Sequence, residues 1–273
     1  ASTGKCTNKH MMREAFEKNG DPSPKSILVQ GITNLDQIHF EYPIIVKPTD
    51  RSGSRGICKL QDRKGLREAI EHAQKESFEN QALVEEYVTG TEYSVEYISY
   101  QGEHYFLAMT LKRTTGAPYF IETGHLEPAP VDEKILNNVK KVITHALNTL
   151  EIRNGASHSE IKISSDGTIK IIEIGARMGG DCIGSDLVYY STGYDFVKMV
   201  IQVACGTAPE FIKNDESFPV ESVFIFTQED VDEFEKIKEE TPEKILKIVD
   251  YHPENIGHIT DSSNRAGCYI KKV

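Results

Sequence analysis

The chain has 273 residues, of which 38% are hydrophobic and 27% charged, the balance of a folded globular protein and not of a disordered one. Its 31 Lys and Arg stand against 42 Asp and Glu, a formal net charge of −11, so neither a nucleic-acid backbone nor an anionic membrane surface is expected as a partner. A local cluster of Lys and Arg can still hold a small anion. No apolar run reaches the roughly 18 residues of a membrane-spanning helix, and residues 1–13 lack the apolar stretch of a secretory signal. Five cysteines (Cys6, Cys58, Cys182, Cys205, Cys268) without CxxC spacing point to a reducing cytoplasm instead of a disulfide framework or zinc ribbon.

In chain order, the apolar spacing predicts a short helix over 8–18 and a strand over 44–47. An amphipathic helix follows over 65–76, with Leu66, Ala69, Ile70 and Ala73 on one face. Strands are predicted over 82–88, 92–100 and 105–111. The most regular helix spans 134–150, where Ile135, Leu136, Val139, Val142, Ile143, Ala146, Leu147 and Leu150 share a face. Residues 157–163 and 168–174 flank Ser165-Asp166-Gly167 and read as an antiparallel hairpin. A helix over 195–204 stops at Gly206. A strand over 220–226, an acidic helix over 229–240 and strands over 245–250 and 268–272 form a small α+β tail. Hairpins mixed with helices favour an α+β fold over a regular βαβ sheet.

Three segments carry candidate chemistry. Lys47 ends an apolar strand and is followed by Pro48 and then Ser52-Gly53-Ser54-Arg55-Gly56. Such a small, hydroxyl-rich loop can close its backbone N–H groups on phosphate oxygens, with the lysine as a point charge; it is neither a Walker A loop nor a dinucleotide fingerprint, and it also reads as a plain hairpin turn. In Leu83-Val84-Glu85-Glu86-Tyr87-Val88, with Gly90 and Glu92, the carboxylates Glu85 and Glu92 flank a turn and could reach one polar ligand such as a ribose, or stand as surface carboxylates of an edge strand. His158, Glu160 and Lys162 alternate along one strand and share a face, while Glu173 lies among four isoleucines on the next. A carboxylate so placed needs a partner or a cation. Two carboxylates on adjacent strands suit a Mg²⁺–phosphate site, with Arg177 beyond them to neutralise phosphoryl charge; a salt bridge of Glu173 to Lys162 or Arg177 is the alternative. His125, in a loop framed by Gly124 and Pro128, reads as an ordinary loop histidine or as one facing a substrate, and Asp181 and Cys182 as lining the same place or as packing.

Taken together and in this order, these segments resemble the ATP-grasp superfamily, from Asn8-Lys9-His10-Met11-Met12-Arg13 through 43–56 and 84–92 to 159–180. Ala176-Arg177-Met178-Gly179-Gly180-Asp181, with Gly184 and Ser191-Thr192-Gly193-Tyr194-Asp195, resembles the branch containing L-amino acid ligases; carbamoyl phosphate synthetase and biotin carboxylase are more distant. The resemblance implies two α+β lobes clasping ATP: a lead helix over 1–25, a small lobe over 26–88, a large lobe over 89–212 and a C-terminal α+β subdomain over 213–273. It implies that Lys9 and Lys47 contact ATP phosphates, with Lys47 and Arg177 catalytic, and that Ser52, Gly53, Ser54, Arg55 and Gly56 close over the phosphates. Glu85 would open the interlobe segment whose backbone at Glu86 and Val88 reads adenine. Glu92 would bind the ribose, and Glu160 and Glu173 would hold Mg²⁺ or Mn²⁺. Such enzymes phosphorylate a small carboxylate with ATP, and an amine then displaces phosphate. A carbamoyl phosphate synthetase-like or purine-pathway enzyme, or a nucleotide-binding fragment without activity of its own, are the alternatives. The chain departs from the family in two places. Gly175 stands where many relatives have Asn after the second metal carboxylate. The Rossmann-like domain that usually precedes the Lys9 helix is missing, so an N-terminal domain or second polypeptide is expected to supply it; a homodimer is open.

Overall fold

The computed structural model describes residues 2–31, 35–53, 55–114, 122–257 and 265–273. The chain divides into two units, one formed by residues 1–91, 133–153 and 159–176 and the other by residues 92–132, 154–158 and 177–273. No described helix is long and apolar enough to cross a membrane.

Unit 1 is organised by the two-residue period of short strands. Strands β1 (Ser26–Val29), β2 (Ile44–Pro48), β3 (Cys58–Leu60) and β4 (Ala82–Glu86) form a sheet in the order β1-β4-β2-β3, antiparallel at every pair. Ile44 and Val46 of β2, with Ala82 and Val84 of β4, point to one face and pack with Leu66, Ala69, Ile70 and Ala73 of α3 (Leu66–Glu76). The alternate residues Lys47 and Glu85 therefore share the opposite face, one rung apart in a register that pairs Ile45 with Glu85 and Lys47 with Leu83. Strand β4 lies inside this sheet, so the edge-strand alternative for Glu85 does not hold.

Two further helices begin the chain, α1 (Ser2–Thr7) and α2 (Lys9–Asn19). Asn8 caps α2 by accepting the Met11 N–H at 3.1 Å, and Gly20 ends it at φ 76°. The buried stripe of α2 is Lys9, Met12, Arg13 and Phe16, the spacing of one helical face, so two cations point inward with the apolar residues. The long amphipathic helix is α4 (Glu133–Thr149), burying Val139, Ile143, Ala146 and Leu147. Strands β8 (Gly155–Ile163) and β9 (Ile169–Gly175) are neighbours, and the turn between them is closed by Gly167 N–H to Ser164 O at 2.9 Å. Residues 159–163 of β8 belong to unit 1 and 155–158 to unit 2.

Unit 2 is built on β5 (Thr91–Tyr100), β6 (Glu103–Thr114), β7 (Glu122–Glu127), β10 (Val220–Ile225), β11 (Ile245–Tyr251) and β12 (Gly267–Lys272), in the order β11-β12-β10-β7-β6-β5. The strands of the C-terminal segment thus extend this sheet through the β10–β7 pairing. Helix α6 (Phe196–Ala204) buries Phe196, Met199 and Val203 against Ile98, Leu107, Ala156 and Val188. Helix α7 (Gln228–Glu240), entered through a capping box at Thr227 and Asp230, packs Val231 and Phe234 with Ile225 and Tyr269. A π-helical turn at Ile183–Leu187 leads into the short α5 (Val188–Thr192).

Candidate active site

In unit 1, the shared face of β2 and β4 receives Arg13 from α2. Glu85 Oε2 accepts from Lys47 Nζ at 2.5 Å and its Oε1 from Arg13 Nε at 2.7 Å, with all three side chains buried. Arg13 Nη2 reaches on to Ile172 O at 2.6 Å, while its Nη1 is buried without a hydrogen-bond partner among the described residues. Burial would raise the Glu85 carboxyl, but the charges of Arg13 and Lys47 outweigh it and hold the group below the usual range. Burial lowers the Lys47 ammonium, with Glu85 opposing.

Lys9 lies one turn before Arg13. Its Nζ donates to Arg51 O at 2.6 Å and pairs with Glu173 at 3.2 Å, a partner that the sequence reading did not weigh. Glu173 is not enclosed by its isoleucines: Ile171 and Ile174 are buried, but the Glu173 side chain is 30% exposed. Glu160, on β8, is half-buried as well.

The stretch that carries Ser52, Gly53, Arg55 and Gly56 connects the antiparallel pair β2 and β3; Ser54 lies outside the described residues. It is a hairpin connection whose residues 52, 53 and 55 are exposed, a geometry that fits both readings made of it. Glu86 donates its N–H to Lys25 O at 3.1 Å, and its side chain pairs with Lys170 at 3.4 Å. Tyr87, next to Val88, carries Lys59 Nζ over its ring at 3.5 Å.

In unit 2, strand alternation collects a second polar face: Glu92 and Glu96 on β5, Thr110 and Lys112 on β6, His125 and Glu127 on β7. Glu92 pairs with Lys112 at 3.2 Å, and the same ammonium holds Glu122 at 2.7 Å. His125 is a correction: it lies on a strand and is fully buried, not on a loop. Its Nε2 is 3.3 Å from Glu122, its ring stands edge-on to Phe224, and neither ring nitrogen is hydrogen-bonded among the described residues. Donor atoms of Glu122, His125 and Asp181 lie within 4.8 Å of one another, with Asp181 held by Arg265 and Glu122 by Lys112. Glu127 is bonded by Thr110 and Ser191, the latter at 2.6 Å, and burial lifts its carboxyl to about 7. Cys182 packs beside Ile183, Leu187, Val220 and Ile270, which favours the packing reading.

Arg177 is exposed, and its Nη1 donates to its neighbour's carbonyl, Met178 O, at 2.7 Å. The loop behind it is fixed by Glu96, whose Oε2 accepts the Gly179 N–H at 2.9 Å and whose Oε1 bonds His158 Nδ1. Sequence reasoning missed Arg13, Glu96, Lys112, Glu122 and Arg265. The first could have been found from its spacing with Lys9, Met12 and Phe16, and Glu96 from its alternation with Glu92.

A family model described as an ATP-grasp domain matches residues 40–186. The chain is 29% identical over 184 residues to dapdiamide A synthase of Enterobacter agglomerans, covering 63% of this chain and 42% of that protein. It is 24% identical over 250 residues to alanine–anticapsin ligase of Bacillus subtilis strain 168, covering 81% and 52%. The chain thus spans about half the length of these relatives. Among solved structures, an L-amino acid ligase from Bacillus licheniformis superimposes with a TM-score of 0.83 at 24% identity, over 99% of this chain and 69% of that one, which shows a shared fold. With a matching domain model over more than half its residues and that fold, the chain belongs to the ATP-grasp family.

Proposed function

We propose that this chain carries the nucleotide-binding and carboxylate-activating part of an ATP-dependent carboxylate–amine ligase. One observation carries the reading: segments far apart in sequence bring Lys9, Arg13, Lys47, Glu85 and Glu173 into one polar array in unit 1. A cluster of three cations and two carboxylates, most of it buried, is costly without a charged ligand to serve. The relatives are named as a synthase and as a ligase of alanine and anticapsin, which favours a small carboxylate and a small amine as substrates.

In this reading Lys9 and Lys47 bind phosphate oxygens, and Glu85, fixed by Arg13, holds the Lys47 ammonium in place. Residues 52–56 cover the phosphates, and the backbone at Glu86 and Val88 reads the adenine edge. Glu92 is assigned the ribose hydroxyls and Arg177 the oxygens of the activated carboxylate. The carboxylate oxygen attacks the γ-phosphorus and ADP leaves; the amine nitrogen then attacks the acyl carbon and phosphate leaves.

A divalent cation fits the donor set. Glu160 and Glu173 offer hard carboxylate oxygens, both half-buried, and Glu173 already attracts the Lys9 ammonium at 3.2 Å. Mg²⁺ or Mn²⁺ would be held by these two, with Gly175 contributing no side chain, and when bound would neutralise phosphate charge. An N-terminal domain, on this or another polypeptide, would complete the acceptor side.

The test is phosphate release from Mg·ATP over pairs of small carboxylates and amines, together with melting temperature. Nucleotide should raise the melting temperature by mass action, and release should require both substrates. Glu173→Gln should keep the fold and lower release by about 100-fold or more. Equal release by variant and parent would remove the metal role, and no nucleotide-dependent melting shift would overturn the whole reading.

A further inference from the structure

The corner that carries Arg177 is anchored at its far end, where Arg265 holds Asp181 and Cys182 packs beside Ile183, while its first residues offer few side chains to hold it. Met178 is followed by Gly179 and Gly180, and the turn is closed by Ile183 N–H to Gly180 O at 2.9 Å and Gly184 N–H to Gly179 O at 3.3 Å. Asp181 and Cys182 both take positive φ, at 47° and 66°, a conformation that side-chain-bearing residues adopt only when their surroundings impose it. Arg177 itself is exposed and, among the described residues, bonds only locally, to Met178 O. A long exposed side chain on a glycine corner has no orientation of its own.

What fixes the corner comes from below. Glu96, with 0% exposure, divides its two oxygens between His158 and the Gly179 N–H. The Gly179 backbone lies so close over this pair that a Cβ there would stand 2.7 Å from Glu96 Oε1 and 2.9 Å from His158 Nδ1. The glycine is therefore required by the approach and not by its φ. Burying a carboxylate and an imidazole beneath one exposed loop is expensive if packing is the only return, since apolar residues would fill the same volume at lower cost.

We propose that Glu96 and His158 are positioning residues for Arg177, a pair that sets the Gly179 main chain and through it the place from which the guanidinium meets its anionic ligand. The inference rests on the proposed role of Arg177, and it adds to that role the device by which an exposed side chain becomes a directed one.

The experiment combines amide exchange with turnover in the full chain. In the parent, the Gly179 amide should be protected. In Glu96→Ala, and in Gly179→Ala, which reaches the same pair from the exposed loop and spares the core, peptides over 176–182 should exchange about 10-fold faster or more while those over 220–225 stay unchanged. Both variants should lower kcat for phosphate release by about 100-fold with the KM for ATP within about twofold, the size expected of a misplacement near 1 Å. Glu96→Gln, which keeps an acceptor, should recover part of the loss. Combining Glu96→Ala with Arg177→Ala should be no worse than Arg177→Ala alone, because both remove one function. If Arg177→Ala turns over like the parent, the proposed role of Arg177 is what fails. If Arg177→Ala is inactive but the 176–182 exchange is unchanged in both clamp variants, or if the losses multiply, the positioning inference is overturned. The exchange measurement decides the clamp even where turnover is too slow to read.

Discussion

Glu85 in unit 1 and Glu127 in unit 2 are buried alike, at 3% and 0% exposure, and their carboxyls move in opposite directions. Burial raises both. Glu85 has two cations against it, Arg13 and Lys47, and ends below the usual range. Glu127 has two hydroxyls, of Ser191 and Thr110, with the Glu96 charge adding to the rise, and ends at about 7. Neutral hydroxyl donors return only part of the hydration energy that an ionised carboxylate loses, whereas two full charges return all of it. The partners, and not the depth, decide whether a buried carboxylate is charged. Unit 1 accordingly holds a fixed charge array, and unit 2 a carboxyl poised to titrate near neutrality.

The largest effect should come from removing the anion of the fixed array. Glu85→Gln leaves Arg13 and Lys47 buried with no counter-charge, and breaking a buried pair in this way costs about 3–5 kcal/mol. Urea denaturation at pH 7 measures it. A loss under about 1 kcal/mol would mean that another group neutralises the two cations, and the contrast with Glu127 would then be mis-assigned.

The titrating carboxyl should reveal itself through pH. Its folded value of about 7 lies above its ordinary 4.5, so the folded state holds the proton more tightly than the unfolded chain. The associated stability is fully present below about pH 4.5 and is lost as pH rises through about 7. At roughly 1.4 kcal/mol for each pH unit between the two values, the loss is about 3 kcal/mol. Glu127→Gln cannot titrate. Its stability relative to the parent should therefore improve by about 3 kcal/mol from pH 4.5 to pH 8, whatever its absolute cost. Parallel stability curves for the two proteins would show that folding does not raise the Glu127 carboxyl.

The two regions also differ in how far they could be read before the fold was known. The α+β class and the helices at 66–76 and 133–149 were legible because a long apolar stripe fixes both period and face. Strand β7 was not, because Gly124 and Pro128 look like loop punctuation. Gly124 is there for another reason: a Cβ would meet Ser222 O at 2.7 Å, so the glycine permits close approach inside a sheet. Strands β1 and β3, of four and three residues, are too short for alternation to register. At the candidate site, Lys9, Lys47, Glu85 and Glu173 could be named from the sequence, yet not who pairs with whom. Glu173 looked enclosed by isoleucines, and it is a half-exposed partner of Lys9. Arg13 was passed over because helical polar residues ordinarily face water, although its spacing with Lys9, Met12 and Phe16 places it on the buried face. Glu127 was passed over entirely, since nothing local distinguishes it: its partners Thr110 and Ser191 are 17 and 64 residues away.

The smallest effect should come from removing one of those hydroxyls. Ser191 Oγ donates to Glu127 Oε1 at 2.6 Å, and this bond is the foremost influence opposing burial on that carboxyl. While Glu127 is protonated the bond joins two neutral groups and is worth about 1 kcal/mol net; once the carboxyl ionises, the same hydroxyl faces a charge and the bond is worth about 1.5–3 kcal/mol. Ser191→Ala should therefore cost about 1 kcal/mol at pH 5 and about twice that at pH 8.5, and it should push the Glu127 carboxyl higher still. The double variant with Glu127→Gln supplies the control: its Ser191→Ala cost should be the same at both pH values, because the acceptor no longer changes charge. A Ser191→Ala cost that is flat with pH in the parent background as well would show that the hydroxyl does not face the titrating oxygen, and the contrast between cation-held and hydroxyl-held carboxylates would then rest on Thr110 alone.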